Sequence, residues 1–206
     1  HISVFTDHLP YPCKFFHDAE AAAQFELWSH PSLKDFIYLN IRSHLSGALI
    51  VNRSSLKGTD LKSGVFEHMT LIPNGRPCYC GRRGCMETYC STQPLIDVTG
   101  HLHTFLEELR KGNRTCQECW NTYLLNLAAA INNLRMFIDY PVLIGGTLSP
   151  YLTEEDIDTL HRYASEKSAF PTEQRFIRQG QNQKALRCEG AAISYVKEYL
   201  HEIMNL

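Results

Sequence analysis

The chain has 206 residues, 44% of them apolar, and its 20 basic residues are nearly balanced by 22 acidic ones, for a net charge of −2. That is enough apolar material for one sizeable core. The balance gives no electrostatic reason to expect this chain itself to grip nucleic acid, and no apolar stretch approaches the roughly 18–20 residues of a membrane span. Residues 1–5, His-Ile-Ser-Val-Phe, carry neither a charged leader nor an apolar signal region, and they lack a starting Met. A piece of a longer protein, or a processed one, is therefore expected.

Residues 14–16 are expected as a short strand and residues 18–28 as an Ala-rich helix, with Ala22, Phe25 and Glu26 at helical spacing. Residues 36–41 and 48–51 are expected as strands joined by a turn over 42–47. Residues 52–64 are polar and irregular. Residues 73–84, rich in Gly, Pro and Cys, predict a loop held by something other than a core. From Gln93 the chain turns helical. Trp120, Tyr123, Leu124, Leu127, Ile131, Leu134 and Ile138 make one apolar stripe, the mark of a long buried helix. Residues 141–146 predict a short buried strand ending in glycines, 154–168 an amphipathic helix and 176–178 a last strand. Residues 190–204 close the chain as a helix that packs through Ala191, Ala192, Tyr195, Val196, Tyr199 and Leu200. Strands alternating with helices predict an α/β fold.

Eight cysteines are many for a domain of this size. A disulfide framework fits poorly, because such frameworks staple small secreted chains that lack a good core, so a cytoplasmic setting is expected. Three of the eight crowd into the pattern His68-x9-Cys78-x-Cys80-x4-Cys85. Zinc takes four tetrahedral ligands and favours thiolate sulfur and imidazole nitrogen. One His and three Cys fill that shell and leave no open position, which predicts a structural Zn2+ site. Gly75, Gly81 and Gly84 interleave with the ligands and permit tight turns. The segment has few large apolar residues, so metal binding can supply the folding energy a core does not. The bland alternative, three ordinary cysteines and a core histidine, needs four suitable residues within 18 positions to be a coincidence. Cys116-x2-Cys119 is read as packing, with a redox or metal role as its alternative; Cys13, Cys90 and Cys188 are read as core fillers.

The stretch Cys78-Tyr79-Cys80-Gly81-Arg82-Arg83-Gly84-Cys85-Met86-Glu87 resembles the signature of the ROK family, which groups bacterial sugar kinases with sugar-responsive transcriptional repressors. The family pattern is Cys-x-Cys-Gly-x-x-Gly-Cys-x-Glu, preceded by a His that completes the zinc shell. Asp18-Ala19 and the alanines after it resemble the family's Asn-Asp-Ala-Asn-Ala-Ala helix start. Residues 142–146 resemble the strand and glycine turn that approach the adenosine of ATP in the kinases, and Gly190-Ala191-Ala192 the start of the last helix. The resemblance covers nearly all of residues 1–206 but only about the C-terminal two-thirds of a family catalytic or effector domain. An N-terminal lobe and any DNA-binding region would lie outside the chain.

The resemblance implies an actin-like, ribonuclease-H-like α/β lobe, a mixed sheet flanked by helices, with a zinc-held loop beside a sugar cleft. It places His17, Asp18, His68 and Glu87 at the sugar. Asp18 matches the general base of the kinases, a role that needs hydrogen-bond reach of the sugar hydroxyl. Its place before an Ala-rich helix also reads as an N-cap. Glu87 matches a Glu that hydrogen-bonds sugar hydroxyls, and His68 a residue that serves zinc and sugar with one ring nitrogen each.

Four departures shape the functional expectation. The kinases' Asp-x-Gly-Gly-Thr phosphate loop is not among these residues. The second phosphate segment reads Arg42-Ser43-His44-Leu45-Ser46-Gly47-Ala48, mostly stripped of glycine. His17 stands where kinases have Asn, as it does in some family repressors. The motif Gly-Glu-Ile-Gly-His becomes Gly64-Val65-Phe66-Glu67-His68, so the sugar-binding carboxylate is lost at Val65, and Glu67 is expected to point elsewhere unless the backbone rearranges. Losing such a charged hydrogen bond costs about 1.5–3 kcal/mol. The expectation is a homodimeric effector domain of a bacterial transcriptional regulator rather than an enzyme, sensing a sugar or sugar phosphate and reaching DNA only through an upstream region. The alternatives are the C-terminal lobe of a sugar kinase, or a module that has lost sugar binding and meets a partner protein.

Overall fold

The computed structural model describes residues 3–11, 13–60, 64–181 and 186–204; residues 61–63 of the expected irregular stretch lie outside the described residues. In chain order the helices are α1 (Ser3–Thr6), α2 (Asp18–Ser29), α3 (Glu87–Cys90), α4 (Gln93–Thr99), α5 (Leu102–Arg110), α6 (Arg114–Phe137), α7 (Glu154–Lys167) and α8 (Leu186–Met204). The strands are β1 (Phe36–Ile41), β2 (Leu45–Val51), β3 (Ser54–Ser55), β4 (Val142–Gly145) and β5 (Ile177–Gln179), in the sheet order β3-β2-β1-β4-β5. β1 and β2 form an antiparallel hairpin extended by β3, whereas β4 and β5 add in parallel.

The sheet is mixed because its two halves are connected differently. A tight turn joins β1 to β2, while about 90 residues, most of them loop and helix, separate β2 from β4, long enough for β4 to return parallel to β1. Every residue of β1 is buried, so both faces of the sheet are covered. Alternation sorts them: Ile37, Leu39 and Ile41 join the larger core with Trp120, Leu127 and Ile131 of α6, whereas Phe36 and Tyr38 meet Ala19, Ala22, Ala23 and Leu27 of α2. The small side chains of α2 are what bring its backbone close to the sheet.

α6 follows the expected stripe from Trp120 to Leu134, all buried at those positions, and ends before Ile138. Asn113 caps it by accepting the Cys116 backbone N–H at 3.2 Å. α7 opens on a capping box between Thr153 and Asp156. Asp156 also accepts the Trp120 indole N–H at 2.9 Å, which pins α7 to α6.

Several expectations are corrected. Residues 14–16 form no strand: Lys14 Nζ donates to Glu198 at 2.7 Å and Phe16 meets Tyr195 edge-on, so this segment lies along α8 rather than in the sheet. The hairpin turn is shorter than expected, because β2 already begins at Leu45. α8 begins at Leu186, so Gly190 lies inside it, where a Cβ would meet the Ala21 carbonyl oxygen at 1.7 Å. Helix α8 thus buries Gly190 and Ile193 against α2, while Ala192, Val196, Tyr199 and Leu200 are exposed rather than packed, and Tyr195, also exposed, packs on Phe16. Cys90 and Cys116 are buried, but Cys188 is exposed and Cys13 only half-buried.

The joint between α7 and β5 generates a prediction. His161 is buried and its Nε2 accepts the backbone N–H groups of Phe176 at 2.6 Å and Ile177 at 3.3 Å. Burial, helped by the charges of Arg175 and Arg135, holds its pKa below the ordinary histidine value. The unfolded chain therefore takes up a proton before the folded one does. The contribution of His161 is complete above the unfolded pKa of about 6.5 and is lost as pH falls below it. His161→Ala should cost about 1–3 kcal/mol in urea melts at pH 8, because two buried donors lose their acceptor. It should also remove part of the stability loss that wild type shows on acidification below about pH 6.5.

Candidate functional site

The site is built around the β1–β2 hairpin. Asn40 of β1 and Ser46 of β2 are paired across the ladder and both are buried. They face the start of α2. Asp18 Oδ2 accepts from Asn40 Nδ2 at 2.9 Å, Asp18 Oδ1 accepts from Ser46 Oγ at 3.0 Å, and Asn40 also donates to Ser46 Oγ at 3.0 Å. Asp18 is thus not the cap of α2. The cap position is His17, which makes no side-chain capping bond. His17 is exposed, its Nδ1 3.9 Å from the Asp18 carboxylate. Asp18 keeps 39% of its side chain exposed and can still meet a ligand from outside.

Glu87, the first residue of α3, reaches the same hairpin from the other side. It is buried; its Oε1 accepts from His44 Nδ1 at 2.8 Å and its Oε2 accepts the Leu45 backbone N–H at 2.7 Å. The Thr92 N–H donates to the Arg42 carbonyl at 2.7 Å, so the hairpin tip is tied down at both sides of the turn. Tyr79 packs edge-on against both His44 and His68, with centroids 5.2 Å apart in each pair.

Glu67 departs from expectation. The short 3-10 turn Phe66–His68 turns it inward: it is buried, and its Oε2 has no hydrogen-bond partner among the described residues. Burial lifts its pKa above the ordinary carboxylate value; His68 and His17 pull it down, and Glu87 pushes it up. Its carboxyl thus lies within electrostatic range of three of the four expected sugar-site residues. The turn is seated by Phe66, whose ring lies on Gly47, where a Cβ would meet Phe66 Cδ2 at 2.3 Å.

His68, Cys78, Cys80 and Cys85 converge. Their ligand atoms all lie within 4.8 Å of one another, with His68 Nδ1 3.8 Å from Cys78 Sγ and Cys80 Sγ 3.7 Å from Cys85 Sγ. A tetrahedral ion with metal–sulfur bonds of about 2.3 Å requires sulfur–sulfur separations of about 3.8 Å, so the donor set fits zinc. Burial pushes the Cys85 thiol up to about 12, whereas the Arg82 backbone N–H draws Cys80 down to about 7. A buried thiol so costly to ionise becomes a thiolate beside a cation. The Cys78 N–H donates to the Arg82 carbonyl at 2.8 Å, and Arg82 Nη2 donates to the His68 carbonyl at 2.8 Å, closing the loop on itself. This cluster can hold a metal ion. Cys116 and Cys119 sit on α6 as packing residues, Cys119 directing its thiol at the Pro94 carbonyl at 3.8 Å.

Sequence reasoning missed Asn40, Ser46 and the partnership of His44 with Glu87. One signal was available: Asn40 is the lone polar residue in the strand Phe-Ile-Tyr-Leu-Asn-Ile. A buried amide in such a strand needs a polar partner.

The sequence profile described as the ROK family matches residues 3–187. An N-acetylmannosamine kinase from Haemophilus influenzae (strain PittEE) is 24% identical over 165 residues, covering 76% of this chain and 54% of that protein. A protein of the same name from Vibrio vulnificus (strain YJ016) is 36% identical over 83 residues, 39% of this chain and 28% of that one. The chain thus spans about half the length, or less, of these relatives. Among solved structures, a ROK family glucokinase from Streptomyces griseus in complex with glucose and AMPPNP superposes with a TM-score of 0.75 at 20% identity, over 90% of this chain and 69% of that one. A ROK family transcriptional regulator, a homolog of the E. coli MLC protein, gives 0.71 at 20% identity, over 85% of this chain and 49% of that one. These likenesses fix the fold as the actin-like one, with a mixed sheet flanked by helices. With its profile matched from residue 3 to residue 187, this chain belongs to the ROK family.

Proposed function

We propose that the chain is the sugar-sensing effector and dimerisation part of a bacterial ROK transcriptional regulator, with a structural zinc ion on His68, Cys78, Cys80 and Cys85. On this reading DNA is reached through an upstream region. The observation that carries it is the occupied hairpin tip. A phosphoryl-transfer site works by positioning phosphates against free backbone N–H groups and cations. Here the Leu45 N–H is spent on Glu87, the His44 imidazole bonds to the same carboxylate, and Ser46 is spent on Asp18. The polar groups of this turn serve the sugar-site carboxylates. His17, Asp18, His68 and Glu87 supply hydroxyl partners, and Glu67 supplies the buried carboxylate that residue 65 lacks. With Nδ1 of His68 directed at Cys78, its Nε2 is left for a hydroxyl.

A sugar kinase is the second reading. It is favoured by the exposed edge of Asp18, which leaves a carboxylate oxygen within reach of a hydroxyl, and by the names of the Haemophilus and Vibrio relatives.

Three measurements test these readings. In a thermal-shift panel of hexoses, N-acetyl sugars and pentoses, one class should raise the melting temperature, by an amount equivalent to about 2.7 kcal/mol at a hundred times its Kd. Asp18→Asn and Glu67→Gln should each weaken that sugar roughly 10- to 150-fold, the worth of one charged hydrogen bond. A flat response to every sugar would sink the sensing role. The full-length protein should show no sugar-dependent ATP turnover; its appearance would replace the first reading with the second. Elemental analysis should find one zinc per chain, and Cys80→Ser should lower both metal content and melting temperature. A fully folded protein free of metal would refute the zinc assignment.

A further inference from the structure

A second cleft, of about 330 Å3, lies between α2, the β3 edge and α8. It is about 9 Å along α2 from Asp18, taking 1.5 Å per residue from Asp18 to Gln24. Among the described residues, three cations line it, Arg53, Lys57 and Lys197, against one carboxylate, Glu20, which stands 3.9 Å from Lys57. Ser54, Ser55 and Ser194 add hydroxyl donors to the same wall.

The charge arrangement is unbalanced. Lys197 is half-buried, and its Nζ donates to Gln24 Oε1 at 2.8 Å, a neutral acceptor that in turn reaches Ser55 at 3.4 Å. The charged group that acts on it most strongly is Arg53, which carries the same sign; together with burial it holds the ammonium below the ordinary lysine pKa. Arg53 is fixed in place. Its guanidinium donates to the carbonyls of Leu27 at 2.8 Å, Pro31 at 2.7 Å and Leu33, all neutral acceptors at the end of α2 and the turn after it. Two partly buried cations thus line one cleft, each hydrogen-bonded to neutral acceptors of its own, and an anion in the cleft would be favourably placed between them.

We propose that this cleft binds a phosphomonoester-type oxyanion, held by Lys197 and Lys57 with hydroxyl donors from the serines. A tetrahedral oxyanion takes several such donors at once, and its charge cancels the repulsion between Lys197 and Arg53. The site is separate from the sugar cleft and does not depend on it.

Calorimetric titration of inorganic phosphate into the full-length protein, at constant ionic strength, tests the assignment. Saturable binding is expected, weakened about tenfold or more by Lys197→Met, which keeps the side-chain stem and removes the charge. Unchanged zinc content verifies that the variant is folded. Should Lys197→Met fail to fold, Lys57→Gln at its exposed position should still lower affinity. A hexose phosphate that binds more tightly than phosphate, and is weakened by the same variants, supports the site as one for esters; equal affinity supports it as one for free phosphate. Absence of saturable binding up to about 10 mM phosphate, or unchanged affinity in both variants, overturns the proposal.

Discussion

Two carboxylates meet one hairpin, and the geometry of the site follows from that. Leu45 gives its backbone N–H to Glu87, and the next residue, Ser46, gives its hydroxyl to Asp18. Helix α2 therefore arrives on one side of the sheet and α3 on the other, each fixed by its first residue. A hydrogen bond to a charged group contributes about 1.5–3 kcal/mol, and a buried carboxylate stripped of its donor costs at least as much. Strand register is bound to the same contacts. A slip of one residue between β1 and β2 would put Asn40 and Ser46 on opposite faces of the sheet, so that they could no longer both reach Asp18. The register that buries Ile37, Leu39 and Ile41 is thus also the one that assembles the site.

The loop from His68 to Cys85 reaches this hairpin by a different kind of interaction. It has almost no core of its own, and its fixed points are four ligands and a few backbone bonds. Metal binding on the scale of about 10–16 kcal/mol can order such a segment outright. The loop and the residues flanking it bring three groups to the hairpin: Phe66 on Gly47, Tyr79 against His44, and Glu87 beneath Leu45. Tyr79 lies between Cys78 and Cys80 in sequence and touches His44 and His68 in space. The His/Cys cluster and the hairpin tip are therefore in contact through one aromatic ring.

Much of this was legible before any coordinates. The four-ligand set, β1, β4 and the stripe of α6 rest on local spacing, and local spacing is what sequence displays. What could not be read depends on partners distant in the chain. Residues 14–16 have strand-like composition, yet Lys14 and Phe16 find Glu198 and Tyr195, about 180 residues away. Asp18 has the position of a helix cap, but Asn40 and Ser46 compete for its oxygens and win, since they are buried and a cap bond would be solvent-exposed. The inward turn of Glu67 is set by the 3-10 turn Phe66–His68, a backbone rearrangement that residue spacing does not display. The start of α8 was misplaced because Gly190 suggests a helix boundary, whereas its absent side chain serves the close approach to Ala21.

The sensor reading gains a physical mechanism from the hairpin tip. Both oxygens of Glu87 already have donors, so a sugar hydroxyl that bonds to this carboxylate competes with His44 or shares an oxygen with Leu45. Either outcome alters the hold on residues 42–45, and through Thr92 and Arg42 the change reaches α4. A ligand shifts a conformational equilibrium only by its difference in affinity for the two states. Displacing one charged hydrogen bond is worth about 1.5–3 kcal/mol, which matches the usual coupling between an effector site and the rest of a regulator. In a kinase the same carboxylate would have to bind sugar while leaving the turn free for phosphate. On the proposed sensor reading the two demands would fall on the same two oxygens of Glu87, a conflict that favours reporting a sugar over phosphorylating one.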